Sequence, residues 1–383
     1  MSMRHLLWVN GWPDLGGAER AQLTFFRAIR QKHKITAVFS RGVSARLTDA
    51  ARELDIEYWT APLTQLRQTM RPDLLVKFGL NASIANFKFF GFLRHTKIDL
   101  IHFAHLYDLP FCALAAFFKR TPLVWMVENP ERFNKINVPI INTSFLDGIA
   151  GTSTAILEDA FKHGVKARHR KLIPNPYDEQ LYWCTERSSI DTNHIKIGFA
   201  GVLTDRKGVA ELCQAFVVLR KLLNGRKRVL LVVAGDGSEE YKAELKRILK
   251  EDNALSDVLF NGFIDSTQAM REFYHGIDLF VMLSKKEGMS VAMLEAMACG
   301  CAAAILAPWC DDVIEDGVDG IRLTSIDPKS VADRLLPYII NDDKRIGLGQ
   351  KAAIKMRNSF SSVAIAKQIL EFYSKITGKD WVI

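Results

Sequence analysis

Short apolar runs alternate along this chain with segments whose apolar residues recur every three or four positions. In the first half the runs are His5–Val9, Ile35–Phe39, Ile56–Thr60, Asp99–Phe103, Leu123–Val127 and Gly148–Gly151. Most do not alternate apolar with polar positions, which is how strands buried on both faces read. Strands separated by helical patterns predict βα units and a parallel, doubly wound sheet. Around Pro174-Asn175-Pro176 the pattern breaks, and Tyr177–Asn193 is polar and irregular. It resumes with predicted strands at Ile195–Ala200, Val229–Ala234, Val258–Phe260, Leu279–Leu283 and Ala302–Leu306. After Asp327 only helical patterns remain, at about 328–340, 343–356 and 361–376. The pattern predicts an α/β chain of two Rossmann-like doubly wound domains, 1–180 and 181–360, with a closing helical segment at 361–383. Ligands of such sheets bind at the carboxyl ends of strands, beside helix N-termini. Two sheets facing each other would form one cleft.

Composition narrows the class. The 383 residues are too many for one compact domain, and 48% apolar with 25% charged residues is ordinary for a globular protein. No apolar stretch is long enough to span a bilayer, and the apolar core of the N-terminal segment is too short for a signal peptide. Six cysteines without a C-x-x-C pair predict neither a disulfide framework nor a zinc site, and suggest a reduced, cytoplasmic compartment. Charge is less ordinary. Residues 1–190 carry 25 basic and 17 acidic side chains, whereas 191–383 carry 26 of each. The whole excess sits in the first half, where it favours an anionic partner or is simply a solvated basic surface.

Candidate chemistry follows the strands. In Leu279–Gly300 a predicted strand ends near Ser284, and Gly288-Met289-Ser290 opens a helix. Backbone amides there, with the helix dipole, make an anion site. Glu287 and Glu295 lie eight residues apart, too far for a direct acid/base pair, but suited to accept hydroxyls from the two ends of one extended ligand. This stretch resembles the E-x7-E signature of retaining glycosyltransferases of GT-B fold, family four. The resemblance implies that Glu287 meets the donor sugar, that Glu295 meets the nucleotide ribose, and that Gly288, Met289 and Ser290 meet sugar and diphosphate. Gly201–Gly208 is similar to the family's phosphate loop. Lys207 matches, but the usual arginine position is Val202, a role that the neighbouring Arg206 is expected to take over. Gly235-Asp236-Gly237 resembles the family's GDG turn; the full G-x-G-x-x-G fingerprint fails at Glu240. Phe263, after Asn261-Gly262, lies where the family packs backbone on the base; as a side chain it reads more readily as core than as a stacking platform.

In the first half Gly16-Gly17-Ala18-Glu19-Arg20 looks like the family's GGAE loop, which implies that Gly16 and Gly17 approach the sugar and diphosphate. Ile173-Pro174-Asn175 resembles its IPN segment before the linker. Where many members carry a strand-end histidine facing the sugar, alignment places Glu128 or Asn129. A second candidate is His105, after the predicted strand that includes His102; either imidazole could instead be a satisfied structural group. The resemblance extends over most of residues 1–376 and is stronger in the second half.

Residues 74–97 hold five Phe (Phe78, Phe87, Phe89, Phe90, Phe92), with Lys77, Lys88, Arg94 and Lys97 as the only charges. Such interleaving fits peripheral contact with an anionic inner membrane, a groove for a lipid-linked acceptor, or a core helix with an exposed turn. No nucleic-acid module is visible. The resemblance thus implies retaining transfer from a nucleotide-sugar donor, with UDP the favoured base, to a hydroxyl of a glycan or lipid-linked acceptor in lipopolysaccharide or other surface polysaccharide synthesis. Its expected catalytic residues are Glu287, Lys207, His105 and Glu128. No cofactor is implied, and no metal, since the chain lacks Asp-x-Asp. The rival classes are a GT-B isomerase or phosphorylase, and a non-catalytic, nucleotide-binding, membrane-associated protein.

Overall fold

A computed structural model of the chain describes residues 3–64, 72–133, 137–143, 146–185 and 194–383. The last part of the polar stretch read from sequence at Tyr177–Asn193 lies outside these. The chain forms two compact units, one of Met1–Pro176 with Ser362–Ile383, the other of Tyr177–Ser361.

The first unit contains β1 (Arg4–Asn10), α1 (Gly17–Ile29), β2 (His33–Ser40), α2 (Ala45–Glu53), β3 (Glu57–Ala61), α3 (Pro72–His95), β4 (Leu100–Phe103), α4 (Leu109–Lys119), β5 (Leu123–Val127), α5 (Asn137–Thr143), β6 (Gly148–Gly151), α6 (Thr154–Lys162) and β7 (His169–Leu172). Its strands form one parallel sheet in the order β3-β2-β1-β4-β5-β6-β7. Successive residues of β1 enter different core layers. Leu6 and Trp8 pack with Phe25, Phe26 and Phe39, while Leu7 and Val9 pack with Phe89, Phe111 and Trp125. That is why the run does not alternate: both faces are covered.

The second unit contains β8 (His194–Ala200), α7 (Val209–Leu223), β9 (Arg228–Ala234), α8 (Glu239–Glu251), β10 (Val258–Gly262), α9 (Thr267–His275), β11 (Leu279–Met282), α10 (Val291–Ala298), β12 (Ala302–Leu306), β13 (Ile321–Leu323), α11 (Pro328–Ile340) and α12 (Asp342–Lys355). Its parallel sheet runs β10-β9-β8-β11-β12-β13. In both sheets the winding direction reverses beside the first strand, between β1 and β4 and between β8 and β11. The crevice at such a point is where doubly wound sheets take ligands.

Two strands escaped the sequence pattern. β7 reads His-Arg-Lys-Leu and β13 reads Ile-Arg-Leu; both are edge strands. β7 carries three polar residues in four and β13 is only three residues long, so neither leaves an apolar run long enough to detect.

The closing helix α13 (Ser362–Thr377) packs on α1 in the first unit and buries Tyr373. The Tyr373 hydroxyl pairs with Nδ1 of the fully buried His102. Burial holds His102 down to about 3, so it is a neutral core imidazole. Tyr373→Phe should leave that nitrogen without its partner and cost about 1–3 kcal/mol. Urea unfolding of the first unit should shift to a lower midpoint with unchanged slope; an unmoved midpoint would show that the bond contributes nothing.

Candidate active site

In the second unit four loops leave the carboxyl ends of β8, β9, β10 and β11, and backbone hydrogen bonds stitch them together. Gly201 N–H donates to Ala234 O (3.0 Å), Leu203 N–H to Asp236 O (2.8 Å), Gly235 N–H to Gly262 O (2.7 Å) and Lys285 N–H to Arg206 O (2.8 Å). Two glycines permit this closeness. Gly235 has φ 141°, and a Cβ there would stand 1.8 Å from Gly201 O. Gly208, at φ 68°, turns the chain into α7, and its Cβ would stand 2.2 Å from Leu283 O. Any side chain at either position would force the loops apart.

Charges converge on this frame. The Lys207 ammonium pairs with the Glu287 carboxylate, both side chains being about nine-tenths buried. The guanidinium of Arg206 lies 3.7 Å from the same Glu287 oxygen and donates to Lys286 O (2.6 Å). Lys285 is engaged elsewhere, with Asp205 (2.6 Å) and Glu211 (2.8 Å), and these two hydrogen bonds raise its ammonium above the ordinary lysine range. The buried hydroxyls of Thr204 and Ser284 have no hydrogen-bond partner. Ser284 is the last residue before the charged loop, and sequence reading had treated it only as the end of a strand.

Glu287 and Gly288 lie in the loop, and Ser290 caps α10 by accepting from Met293 N–H (3.3 Å). The helix therefore starts at Val291, and Glu295 sits little more than one turn into it. Glu295 is 9% exposed and accepts a hydrogen bond from the buried Tyr274 hydroxyl (2.9 Å). Part of its carboxylate is thus committed to the interior of the unit. Met289 is buried beside the cap. Phe263, read as core from sequence, is 56% exposed on the loop after β10.

The first unit gathers a buried acidic cluster at its own switch point. Glu19, in the first turn of α1, uses both oxygens. Gly16 N–H donates to Oε2 (3.1 Å) and His105 Nε2–H donates to Oε1 (3.1 Å). The Gly16 amide, expected to face a phosphate, is thus occupied by Glu19; Gly17 is the first residue of α1. Burial opposes the charge on His105, but the bond to Glu19 and the charges of Asp108 and Glu131 outweigh it and raise the imidazole to about 9. The Tyr107 ring stacks on it at 5.3 Å. Glu128, at the end of β5, is buried; the Gln22 amide donates to one oxygen, and burial pushes its carboxyl up to about 8. Asp108 is fully buried and pushed up to about 7, against the pull of His105 and the Gly11 amide. His105 and Glu128 therefore share one cluster with Glu19, Gln22 and Asp108, which sequence reading did not single out. His102 belongs to the core instead. Among the described residues no group of three or more His, Cys, Asp or Glu side chains is arranged to hold a metal ion.

Comparison with known proteins agrees with this division. A model described as Glycosyltransferase Family 4 matches residues 15–181, and one described as Glycosyl transferases group 1 matches residues 185–355. An uncharacterised glycosyltransferase of Methanocaldococcus jannaschii is 29% identical over 189 residues, covering 48% of this chain and 46% of that protein. Lipopolysaccharide 1,2-N-acetylglucosaminetransferase of Salmonella typhimurium is 28% identical over 254 residues, covering 64% of this chain and 63% of the enzyme. The chain spans about half the length of the curated relatives it matches first. Among solved structures, HepE of Anabaena in complex with UDP and glucose superposes with a TM-score of 0.79 at 20% identity, covering 97% of this chain and all of that one. The apo lipopolysaccharide outer core galactosyltransferase WaaB gives 0.69 at 16% identity, covering 97% of this chain and 100% of that one. With two Rossmann-like parallel sheets and a glycosyltransferase model matching each half, the chain belongs to the GT-B glycosyltransferases of group 1, family four.

Proposed function

We propose that this protein transfers a sugar from a nucleotide-sugar, with UDP as the favoured nucleotide, to a hydroxyl of a glycan or glycolipid acceptor in surface-polysaccharide or lipopolysaccharide synthesis, with retention at the anomeric carbon. The observation that carries the reading is the convergence of Lys207 and Arg206 on Glu287 at the switch point of the second sheet. A departing nucleoside diphosphate gains negative charge as the glycosidic bond breaks. Cations already held in place stabilise that charge without reorganising, usually the largest catalytic effect available. In this reading Lys207 and Arg206 meet the diphosphate, together with the turn Gly288-Met289-Ser290 at the N-terminus of α10. Glu287, relieved of part of its ion pairing, accepts the sugar hydroxyls. Glu295 accepts the ribose hydroxyls beside its bond to Tyr274. Phe263, exposed on the loop after β10 and next to the Gly235 turn, offers a face to the base. The first unit takes the acceptor, with His105 and Glu128 as its reacting-centre residues. No metal ion is invoked, because the two cations and the helix terminus carry the charge. The UDP-bound HepE structures and the polysaccharide-building relatives support this reading by likeness.

UDP should raise the melting temperature, since a ligand that binds only the folded state stabilises it by mass action. GDP, ADP and CMP at equal concentration should raise it less. Lys207→Ala should lower transfer by about 10²–10³-fold while leaving the melt of the second unit within a few degrees. Unchanged turnover in that variant would remove Lys207 from the reaction.

Tyr274 and Glu295 separate a ribose role from a core role. Glu295→Gln should weaken UDP binding, read by titration calorimetry, by about tenfold, whereas Tyr274→Phe should lower stability by about 1 kcal/mol and weaken UDP binding by only about two- to threefold, through the lost positioning of Glu295. If both variants only destabilise, Glu295 is a core acid.

The pH profile tests the first-unit cluster. His105 keeps its proton up to about pH 9. Its folded value is raised, so its contribution is complete below the ordinary histidine range and is lost as pH rises through about 9. Glu128 and Asp108 lose their protons near 8 and 7. Transfer should therefore fall on the alkaline side, with a last limb near 9 that His105→Gln abolishes. A wild-type profile flat to pH 10 would show that the cluster plays no part.

A further inference from the structure

The helix α3 is apolar on two opposite faces. Ala85, Phe89 and Leu93, with the half-buried Phe78, Ala82 and Phe92, pack into the first unit's core. Val76, Leu80, Ile84 and Phe87, spaced i, i+4, i+8 and i+11, form a second stripe that faces outward. Phe87 is 80% exposed. A surface helix of a globular domain carries polar residues there.

Its neighbour repeats the feature. α4 lies alongside α3: the Phe78 and Phe111 rings meet at 5.1 Å, and Asn86 donates to Pro110 O (2.7 Å) and accepts from Ala115 N–H (3.2 Å). On α4 the exposed positions from Phe111 to Phe118 are Leu114, Phe117 and Phe118, all apolar, with Phe118 69% exposed. Lys119 sits over the Phe90 ring at 4.5 Å and joins the two helix ends. Five cations (Lys77, Lys88, Arg94, Lys119 and the cap Arg120) accompany one exposed acid, Asp73, on these helices, the N-cap Asp108 of α4 being buried.

We propose that α3 and α4 together form a docking face for an anionic lipid bilayer. The outward stripes would enter the headgroup–acyl boundary while the cations meet lipid phosphates. α3 is about 36 Å long by its 24 residues, yet no described helix is long and apolar enough to cross a membrane, so this face lies on the bilayer. The occupant is chosen on charge. A second copy of the chain would place like charges of this basic face against each other, which is unfavourable, whereas an anionic lipid surface gains about a factor of five in affinity per cation brought near it. The inference stands apart from the transfer reaction and holds or fails without it.

The test is co-sedimentation of the full chain with vesicles of phosphatidylcholine, with and without about 30 mol% phosphatidylglycerol. Wild type should bind the anionic vesicles at least about tenfold more tightly than the neutral ones and lose most of that preference at high salt. Phe87→Ser with Phe118→Ser should weaken binding by about tenfold or more. Lys88→Gln with Arg94→Gln should weaken it by about 25-fold on anionic vesicles only. These positions are exposed, so circular dichroism and the thermal melt should not change. No binding to anionic vesicles, or equal binding by wild type and the phenylalanine variant, would overturn the proposal. So would a wild-type dimer in sedimentation velocity that the phenylalanine variant dissolves, because the face would then be covered by another copy.

Discussion

A parallel sheet wound outward in both directions from one strand pair cannot fill the space above that pair with its own chain. The two loops leaving it turn toward opposite faces, and the strand ends between them stay open. Both units of this protein are built on that constraint, at β1/β4 and at β8/β11. The converging charges of Lys207, Arg206 and Glu287 and the buried cluster of Glu19, His105, Asp108 and Glu128 stand at those two places or on loops tied to them. In the second unit the opening is lined by backbone that Gly208 and Gly235 bring closer than any side chain would allow. In the first it is occupied by carboxylates that burial keeps close to neutral.

The two openings solve opposite electrostatic problems. Around Glu287 one carboxylate faces two cations, so the local balance is positive once an anionic ligand competes for them. An ion pair this sheltered gives little net stability, because desolvation offsets most of the attraction. What it supplies is position: Lys207 and Arg206 are aimed before any ligand arrives. Around His105 one imidazolium faces Glu19, with Asp108, Glu128 and Glu131 nearby. Burial beside so many acids disfavours charge, and Asp108 and Glu128 respond by holding their protons up to about 7 and about 8. A cluster of this kind can exchange a proton near neutrality.

Legibility in the sequence followed how local each feature was. Strands buried on both faces announce themselves as unbroken apolar runs, so eleven of the thirteen strands among the described residues were readable, most within a residue or two at each end; β7, mostly polar, and β13, only three residues long, were not. Lys207, Glu287, Gly235 and Ser290 were singled out because the loops after β8, β9 and β11 resemble family motifs, and the structure stitches those loops together at one switch point. What escaped depended on contacts distant in sequence. Asp108 and Gln22 acquire their significance only when β4, β5 and α1 are brought together. Phe263 was read as core because hydrophobicity alone cannot tell a platform from a filler; its exposure depends on the bulge in β10 between Phe260 and Gly262.

Glu295 illustrates how a single side chain can serve two ends. The Tyr274 hydroxyl is fully buried, and both burial and the neighbouring Glu295 charge push it well above the ordinary phenol range, so it remains a donor at any working pH. A buried phenol without an acceptor would be costly, and Glu295 supplies that acceptor. A carboxylate has more than one lone pair to offer. Fixing one oxygen on Tyr274 removes the rotamer freedom that the other would lose on binding a hydroxyl, which lowers the entropic cost of recognition. The bond to the interior therefore pre-sets the Glu295 carboxylate on α10 instead of leaving it mobile.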